Sequence, residues 1–268
     1  MIPVFSGNSY DTSGDRRDWL TKLTWGSRLN FYFRIYYNFY RIGRCAQKGL
    51  FERRHQALFC RVNADIIERC GGQIHVSGME NLSREAGPFV IAGNHMSAIE
   101  TILLNAVISP RMDYTFVIKQ GLFSVPFMRQ AMRGINAIGV RQVNPREDFK
   151  IIMTEGAKRL EAGKSVLIFP EASRFAEFRP ENFNTIAVKL AKKCGVRVIP
   201  FALKTDFMTF GKLIRECGPV HPKNEIYIEF GEPIEISGSG HDAQNAIINF
   251  IQTRTRKWSE NTTCGAKA

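Results

Sequence analysis

The sequence predicts an α/β fold, a mixed and mostly parallel sheet flanked by helices, preceded by an N-terminal amphipathic helical region. Three observations predict it. From residue 73 onward, short apolar runs alternate with longer amphipathic stretches, the pattern of βαβ units whose sheet is buried on both faces. The length of 268 residues suits one large α/β domain and is short for two independent ones. The first 70 residues lack the alternation and are rich in aromatic and basic side chains, so residues 1–70 are read as an N-terminal region ahead of an α/β domain spanning 71–268.

In the N-terminal region, residues 16–54 hold ten Lys/Arg against two acids, a net +8 of the chain's +12. Phe31, Tyr32, Phe33, Tyr36, Tyr37, Phe39 and Tyr40 place seven aromatics in ten positions, and Asn30, Arg34, Asn38 and Arg41 recur at helical spacing as a narrow polar stripe. Such a helix can lie in a headgroup layer, with its rings at the acyl boundary and its arginines on lipid phosphates. Each basic residue adds ~1 kcal/mol near an anionic surface. The expected membrane contacts are Phe31, Tyr32, Phe33, Arg34, Tyr36, Tyr37 and Arg41, which makes this a membrane-association region. The other reading is a helix packed on the domain, and both can hold for different faces.

Strands are expected at Gln73 to Val76, Phe89 to Ala92, Thr115 to Ile118, Ile135 to Val140, Ser165 to Phe169, Val196 to Leu203 and Ile226 to Phe230. Helices are expected near 97–108, 124–133, 146–161 and 183–194, and a last one near 242–258, with Ala246, Ile247, Phe250, Ile251 and Trp258, closes the chain.

Composition narrows the function classes. A chain 44% hydrophobic and 23% charged is not disordered, and no 18-residue apolar window lacks charge, so membrane contact is expected to be interfacial, on the cytoplasmic face, peripheral or monotopic. The six cysteines show no CxxC pair or close Cys/His spacing, so neither a zinc site nor a disulfide framework is indicated. The first 30 residues lack an apolar core, and no secretory signal is expected. A +12 balance points to anionic partners. Nucleic acid is not among those expected, since no recognition motif is present and the aromatics cluster with basic residues in one amphipathic segment.

In open α/β sheets, sites form where strands end. His95 and Glu100 follow the run Phe89 to Ala92, Lys119 follows Phe116 to Ile118, Arg141 follows Ala137 to Val140, and Glu171 and Arg174 follow Val166 to Phe169. A carboxylate at Glu100 can accept the His95 Nδ1 proton and leave Nε2 to take one from a substrate. No GxSxG serine or reactive cysteine accompanies the pair, so the chemistry it suits is direct attack by a substrate hydroxyl on an activated carbonyl. Arg174, Arg141 and Lys119 form a candidate phosphate-binding set. Taken alone, the His–Glu pair also fits a satisfied structural histidine, and each cation a solvated surface charge.

Two blocks carry a specific resemblance. Asn94-His-Met-Ser-Ala-Ile-Glu100 resembles the NHxSxxD (HX4D) block of the glycerolipid acyltransferases of the 1-acylglycerol-3-phosphate type, and Phe169-Pro-Glu-Ala-Ser-Arg174 resembles their FPEGTR block. Lys119 to Pro126, Gly139-Val-Arg141, Val198-Ile-Pro200 and Gly231-Glu-Pro233 are similar to further blocks in the same order, covering residues 72–235. The resemblance implies acyl transfer from acyl-CoA or acyl carrier protein, as co-substrate and with no other cofactor or metal, to the hydroxyl of a lysophospholipid. It implies His95 as general base and Glu100 as its orienting partner. Arg174, Arg141 and Lys119 would bind the acceptor phosphate, and Glu171 would position Arg174 or the acceptor.

Three positions depart from the pattern. Glu100 replaces Asp and must fold back or hold the imidazole farther away. Ala172-Ser173 replaces Gly-Thr, removing backbone freedom at a turn. Phe183-Asn184-Thr185 stands where FKxG is usual, without its cation. They suit a subfamily with another lyso-lipid acceptor or acyl preference. The alternative is a catalytically weak or inactive lipid-binding protein on the same fold.

Overall fold

The computed structural model describes residues 5, 7–23, 28–50, 53–82, 87–126, 128–212, 215 and 217–265. In chain order these form β1 (Tyr10–Asp11), α1 (Trp19–Leu23), α2 (Arg28–Gln47), α3 (Arg53–Arg69), β2 (Ile74–Ser77), β3 (Val90–Gly93), α4 (Ile99–Ile108) and β4 (Tyr114–Lys119). They continue with α5 (Met128–Gly134), β5 (Ile138–Val140), α6 (Pro145–Glu161), β6 (Ser165–Ile168), α7 (Ile186–Cys194), β7 (Val198–Lys204), β8 (Ile226–Phe230) and α8 (His241–Gly265). The eight strands make one sheet in the order β1-β2-β8-β7-β3-β6-β4-β5. Pairing is parallel except between β1 and β2 and between β7 and β8. The fold is the mixed, mostly parallel one that the alternation predicts.

Every residue of β3, β6 and β7 is buried, which explains why these strands read as continuous apolar runs. Successive side chains alternate between two cores. Ile91, Leu167 and Ile199 face Phe31, Ile67 and Leu103 from α2, α3 and α4, whereas Val90, Val166 and Val198 face Ile152, Leu190 and Ile251 from α6, α7 and α8.

Several expected ends move, each for a local reason. The strand expected from Ile135 begins only at Ile138, because Asn136 turns at φ 59 behind α5. The one expected from Val196 begins at Val198, after Gly195 caps α7 at φ 64. The helix expected at 183 begins at Ile186, whose N–H is taken by the Asn184 side chain at 3.0 Å.

Residues 1–70 are not helical throughout: Tyr10 and Asp11 pair with Val76 and His75, adding an edge strand. The segment is tied to α3 around the buried Glu68 carboxylate, which accepts from Tyr10 Oη at 2.5 Å and Thr12 Oγ1 at 2.6 Å and pairs with Arg16. A buried carboxylate left unpaired would cost several kcal/mol, so these partners hold the N-terminal strand in place.

Helix α2 turns part of its polar stripe toward the protein, with Asn38 buried and Arg41 exposed. Asn38 donates to Asn63 Oδ1 at 2.7 Å and to the Phe59 carbonyl at 2.9 Å, Arg34 pairs with Asp18 at 2.6 Å, and the Arg41 guanidinium covers the Phe59 ring at 5.4 Å. Phe31, expected at a membrane, is 2% exposed and packs edge-on against Phe207. Phe33, Tyr36, Tyr37 and Tyr40 lie on the outer face, with Phe33 73% exposed. Among the described residues no helix is long and apolar enough to cross a membrane.

Candidate active site

The site is built where β3 and β6, parallel neighbours, reach the same edge of the sheet. Gly93 ends β3 so close to β7 that a Cβ there would lie 2.2 Å from the Phe201 carbonyl oxygen. Asn94 then clamps the turn to β7. Its side chain donates to the Leu203 carbonyl at 2.8 Å and accepts the Leu203 N–H at 2.9 Å. The next residue, His95, therefore leaves the sheet from a fixed backbone.

Four contacts orient His95. Its N–H donates to Glu171 Oε2 at 2.8 Å, its carbonyl accepts the Phe175 N–H at 2.9 Å, and its ring stacks on Phe169 with centroids 4.0 Å apart. The fourth is Glu100, whose Oε2 lies 2.5 Å from His95 Nδ1. Glu100 is fully buried at the start of α4, and its Oε1 accepts the N–H groups of Met96 and Ser97 and the Thr205 hydroxyl at 2.7 Å. The extra methylene relative to Asp is thus absorbed by folding back over the first turn, where the helix dipole also favours a negative charge. With the carboxylate accepting at Nδ1, Nε2 is the free basic nitrogen. It has no partner among the described residues, and 18% of the side chain reaches the surface.

The loop after β6 supplies the second half. Burial pushes the Glu171 carboxyl up to about 7, with Glu100 adding to the shift and the N–H groups of His95 and Arg179 opposing it. Glu171 bonds to the backbone that carries His95 and to the Arg179 N–H. Ala172 holds φ 57 in the left-handed region without being glycine. Asn184, at the position lacking the cation, donates to the Pro170 carbonyl and accepts the Ile186 N–H at the start of α7, so it ties this loop to the helix.

The expected phosphate-binding residues are spread along the edge. Arg174 lies in the loop that bonds to His95, with its guanidinium 5.8 Å from the Phe210 ring centre. Lys119 ends β4, one strand beyond β6, and Arg141 follows β5 at the edge of the sheet. At about 4.8 Å per strand, β5 is on the order of 14 Å from β3. Arg141 donates to Gln120 Oε1 at 3.2 Å and lines a depression of about 380 Å³ with Gly139, Glu147 and Lys150. Gln142 Nε2 donates to the Ala172 carbonyl at 2.8 Å, linking this outer edge to the loop after β6. Thr205, absent from the sequence reading, is a functional neighbour that the strand-end rule finds once it is applied to β7.

Comparison with known proteins finds similar acyltransferases. A family model described as Acyltransferase matches residues 73–204, which include both His95–Glu100 and Glu171–Arg174. The chloroplastic 1-acyl-sn-glycerol-3-phosphate acyltransferase of Arabidopsis thaliana is 30% identical over 131 residues, 49% of this chain and 36% of that protein, so the chain spans little more than a third of that relative. The 1-acyl-sn-glycerol-3-phosphate acyltransferase of Pseudomonas aeruginosa is 27% identical over 192 residues, 72% of this chain and 69% of that one. The crystal structure of the 1-acyl-sn-glycerophosphate acyltransferase of Thermotoga maritima shares the fold, with a TM-score of 0.65 over 87% of this chain and 94% of that one at 18% identity.

Proposed function

We propose that the chain is a member of the glycerolipid acyltransferase family and acts as a membrane-surface O-acyltransferase. It moves a fatty acyl group from acyl-CoA or acyl carrier protein to the hydroxyl of a lysophospholipid. The acceptor is 1-acyl-glycerol-3-phosphate and the product phosphatidic acid. The observation that carries the reading is the His95–Glu100 pair, oriented from four sides with Nε2 left for a substrate.

Nε2 takes the proton of the acceptor hydroxyl as its oxygen attacks the thioester carbonyl. Glu100 stabilises the imidazolium that forms. Collapse of the tetrahedral adduct breaks the carbon–sulfur bond, and the departing thiolate takes the proton back from His95. Bond formation and cleavage balance with no covalent enzyme intermediate. Arg174, in the loop after β6, is the first candidate phosphate ligand, with Lys119 and Arg141 on strands farther along the sheet.

The exposed rings of Phe33, Tyr36, Tyr37 and Tyr40, with the exposed Leu29 on the same helix, form an apolar face unusual for a surface helix, and this supports docking on the cytoplasmic face of an anionic bilayer. Two observations weigh against a lipid-binding protein without turnover: Glu100 reaches His95, and Asn184 holds the loop after β6.

The test is diacyl product formation by the purified full chain given lysophosphatidic acid and either acyl-CoA or acylated acyl carrier protein. Wild type should form phosphatidic acid, and His95→Ala should lose at least about 10²-fold in turnover with its melting temperature kept. Equal turnover by the two proteins would remove His95 from the mechanism.

A further inference from the structure

Thr205 does more than border the site. Strand β7 runs parallel to β3 and brings the chain to the same edge, where the Asn94 side chain clamps Leu203 on one side of Thr205. On the other side the Asn224 amide donates to the Asp206 carbonyl and to Asp206 Oδ2, both at 3.1 Å. The Thr205 N–H itself lies on Met96 Sδ at 3.2 Å. The residue is fully buried, so its hydroxyl must find its partners inside the protein.

Those partners set a direction. The Ile99 N–H donates to Ser97 Oγ at 3.3 Å, the Ser97 hydroxyl donates to Thr205 Oγ1 at 3.0 Å, and the Thr205 hydroxyl donates to Glu100 Oε1 at 2.7 Å. A backbone N–H can only donate, so every proton along this line points at the carboxylate. Glu100 Oε1 also takes the Met96 and Ser97 N–H groups, and Oε2 is the oxygen that faces His95 Nδ1 at 2.5 Å. A carboxylate gripped by donors at one oxygen acts toward the imidazole as an acceptor, and the Nδ1–H tautomer follows. The two N–H groups belong to the turn that carries Glu100 itself, whereas the Thr205 hydroxyl comes from another strand and fixes the carboxylate relative to the sheet.

We propose that Thr205 is a positioning residue of the acyl-transfer reaction: its hydroxyl, oriented by Ser97, holds Glu100 so that His95 keeps its proton at Nδ1 and offers Nε2 as the base. The inference rests on the acyltransferase reading above, and one of its tests needs no turnover.

Thr205→Val exchanges the hydroxyl for a methyl of similar size, and Thr205→Ser keeps the hydroxyl. In steady-state assays Thr205→Val should lose about tenfold or more in kcat, as expected for a hydrogen bond to a charged group, with the acceptor KM unchanged. Thr205→Ser should recover most of the loss. A wild-type kcat in Thr205→Val, a serine variant no better than the valine one, or a loss confined to KM overturns the proposal. Ser97→Ala should also lower kcat and should add nothing in the Thr205→Val background, since the two hydroxyls act in series. Additive losses overturn the series, and if Thr205→Val does not fold, an unchanged kcat in Ser97→Ala overturns the proposal by itself.

Without substrate, proton NMR reads the same contact. The His95 Nδ1 proton, assigned by its absence in His95→Ala, should resonate far downfield in wild type at about pH 8, where an imidazole is ordinarily neutral. In Thr205→Val it should move upfield or be lost to exchange with water, and in Thr205→Ser it should return. A resonance absent from wild type, or unmoved in Thr205→Val, overturns the proposal whatever the turnover. A wild type that makes no diacyl product from either donor overturns the acyltransferase reading, while the resonance still decides whether Thr205 positions the pair.

Discussion

Glu100 grips His95 from within the first turn of α4: one carboxylate oxygen lies 2.5 Å from Nδ1 while the other accepts two backbone N–H groups and the Thr205 hydroxyl. A single buried side chain thus sets the tautomer of the imidazole, caps a helix and ties β7 to the turn after β3. A longer side chain than Asp suits this arrangement, because Glu can reach back to its own helix start.

Glu100→Gln should lower turnover at least about 10²-fold, since the amide removes the charge that stabilises the imidazolium and leaves the tautomer unspecified. It should also cost about 1–3 kcal/mol in a denaturant melt, the range for disturbing a buried hydrogen-bond partner. Steady-state rates above a tenth of wild type would contradict the role given to Glu100.

Glu171 makes stability depend on pH. Its folded pKa of about 7 lies above the ordinary value of 4.5, so between these the native protein keeps a proton that the unfolded chain has lost. Stability from this group therefore falls as pH rises from about 4.5 toward 7 and is level above that. Glu171→Gln keeps an oxygen for the His95 N–H and cannot titrate, so unfolding curves collected between pH 5 and 8 should show a flatter slope than wild type. Parallel slopes would exclude Glu171 as the source.

Ala172 carries a backbone conformation that an L side chain resists by roughly 1–2 kcal/mol. Ala172→Gly should raise stability by up to about 1 kcal/mol, the relief being partly offset by the freer unfolded chain. Ala172→Val should lower it. Chemical denaturation of the three proteins checks the order Gly above Ala above Val.

The two faces of α2 should separate experimentally. Phe33→Ala with Tyr37→Ala removes two exposed stacked rings, 6.4 Å apart, and should weaken flotation with anionic vesicles while leaving the melting temperature unchanged. Phe31→Ala opens a core cavity and should cost about 3–5 kcal/mol. Vesicle binding unaffected by the double variant would rule out this face as the membrane contact.

The central strands were legible because a strand buried on both faces must be apolar along its length, as Val198–Lys204 shows almost throughout. Strand β1 was not, since two residues carry no period. His95, Glu100, Glu171 and Arg174 were legible as polar groups after apolar runs. Thr205 obeys the same rule at the end of β7, yet its bond to Glu100 spans 105 positions and has no local trace. The clamp between Asn94 and Leu203 is equally remote, at 109 positions.

By itself, the sequence determined the parallel sheet, the edge on which chemistry gathers and the amphipathic character of α2, because periodicity and strand-end residues are local properties of the chain. Only the tertiary structure decided which side of α2 faces out, that Glu171 serves the His95 backbone, and that Thr205 reaches Glu100. Each of these depends on which distant segment supplies the partner for a buried polar group. Asn38 meets Asn63, Arg34 meets Asp18 and Glu100 meets Thr205, while Arg41 and four aromatic rings of α2 stay exposed.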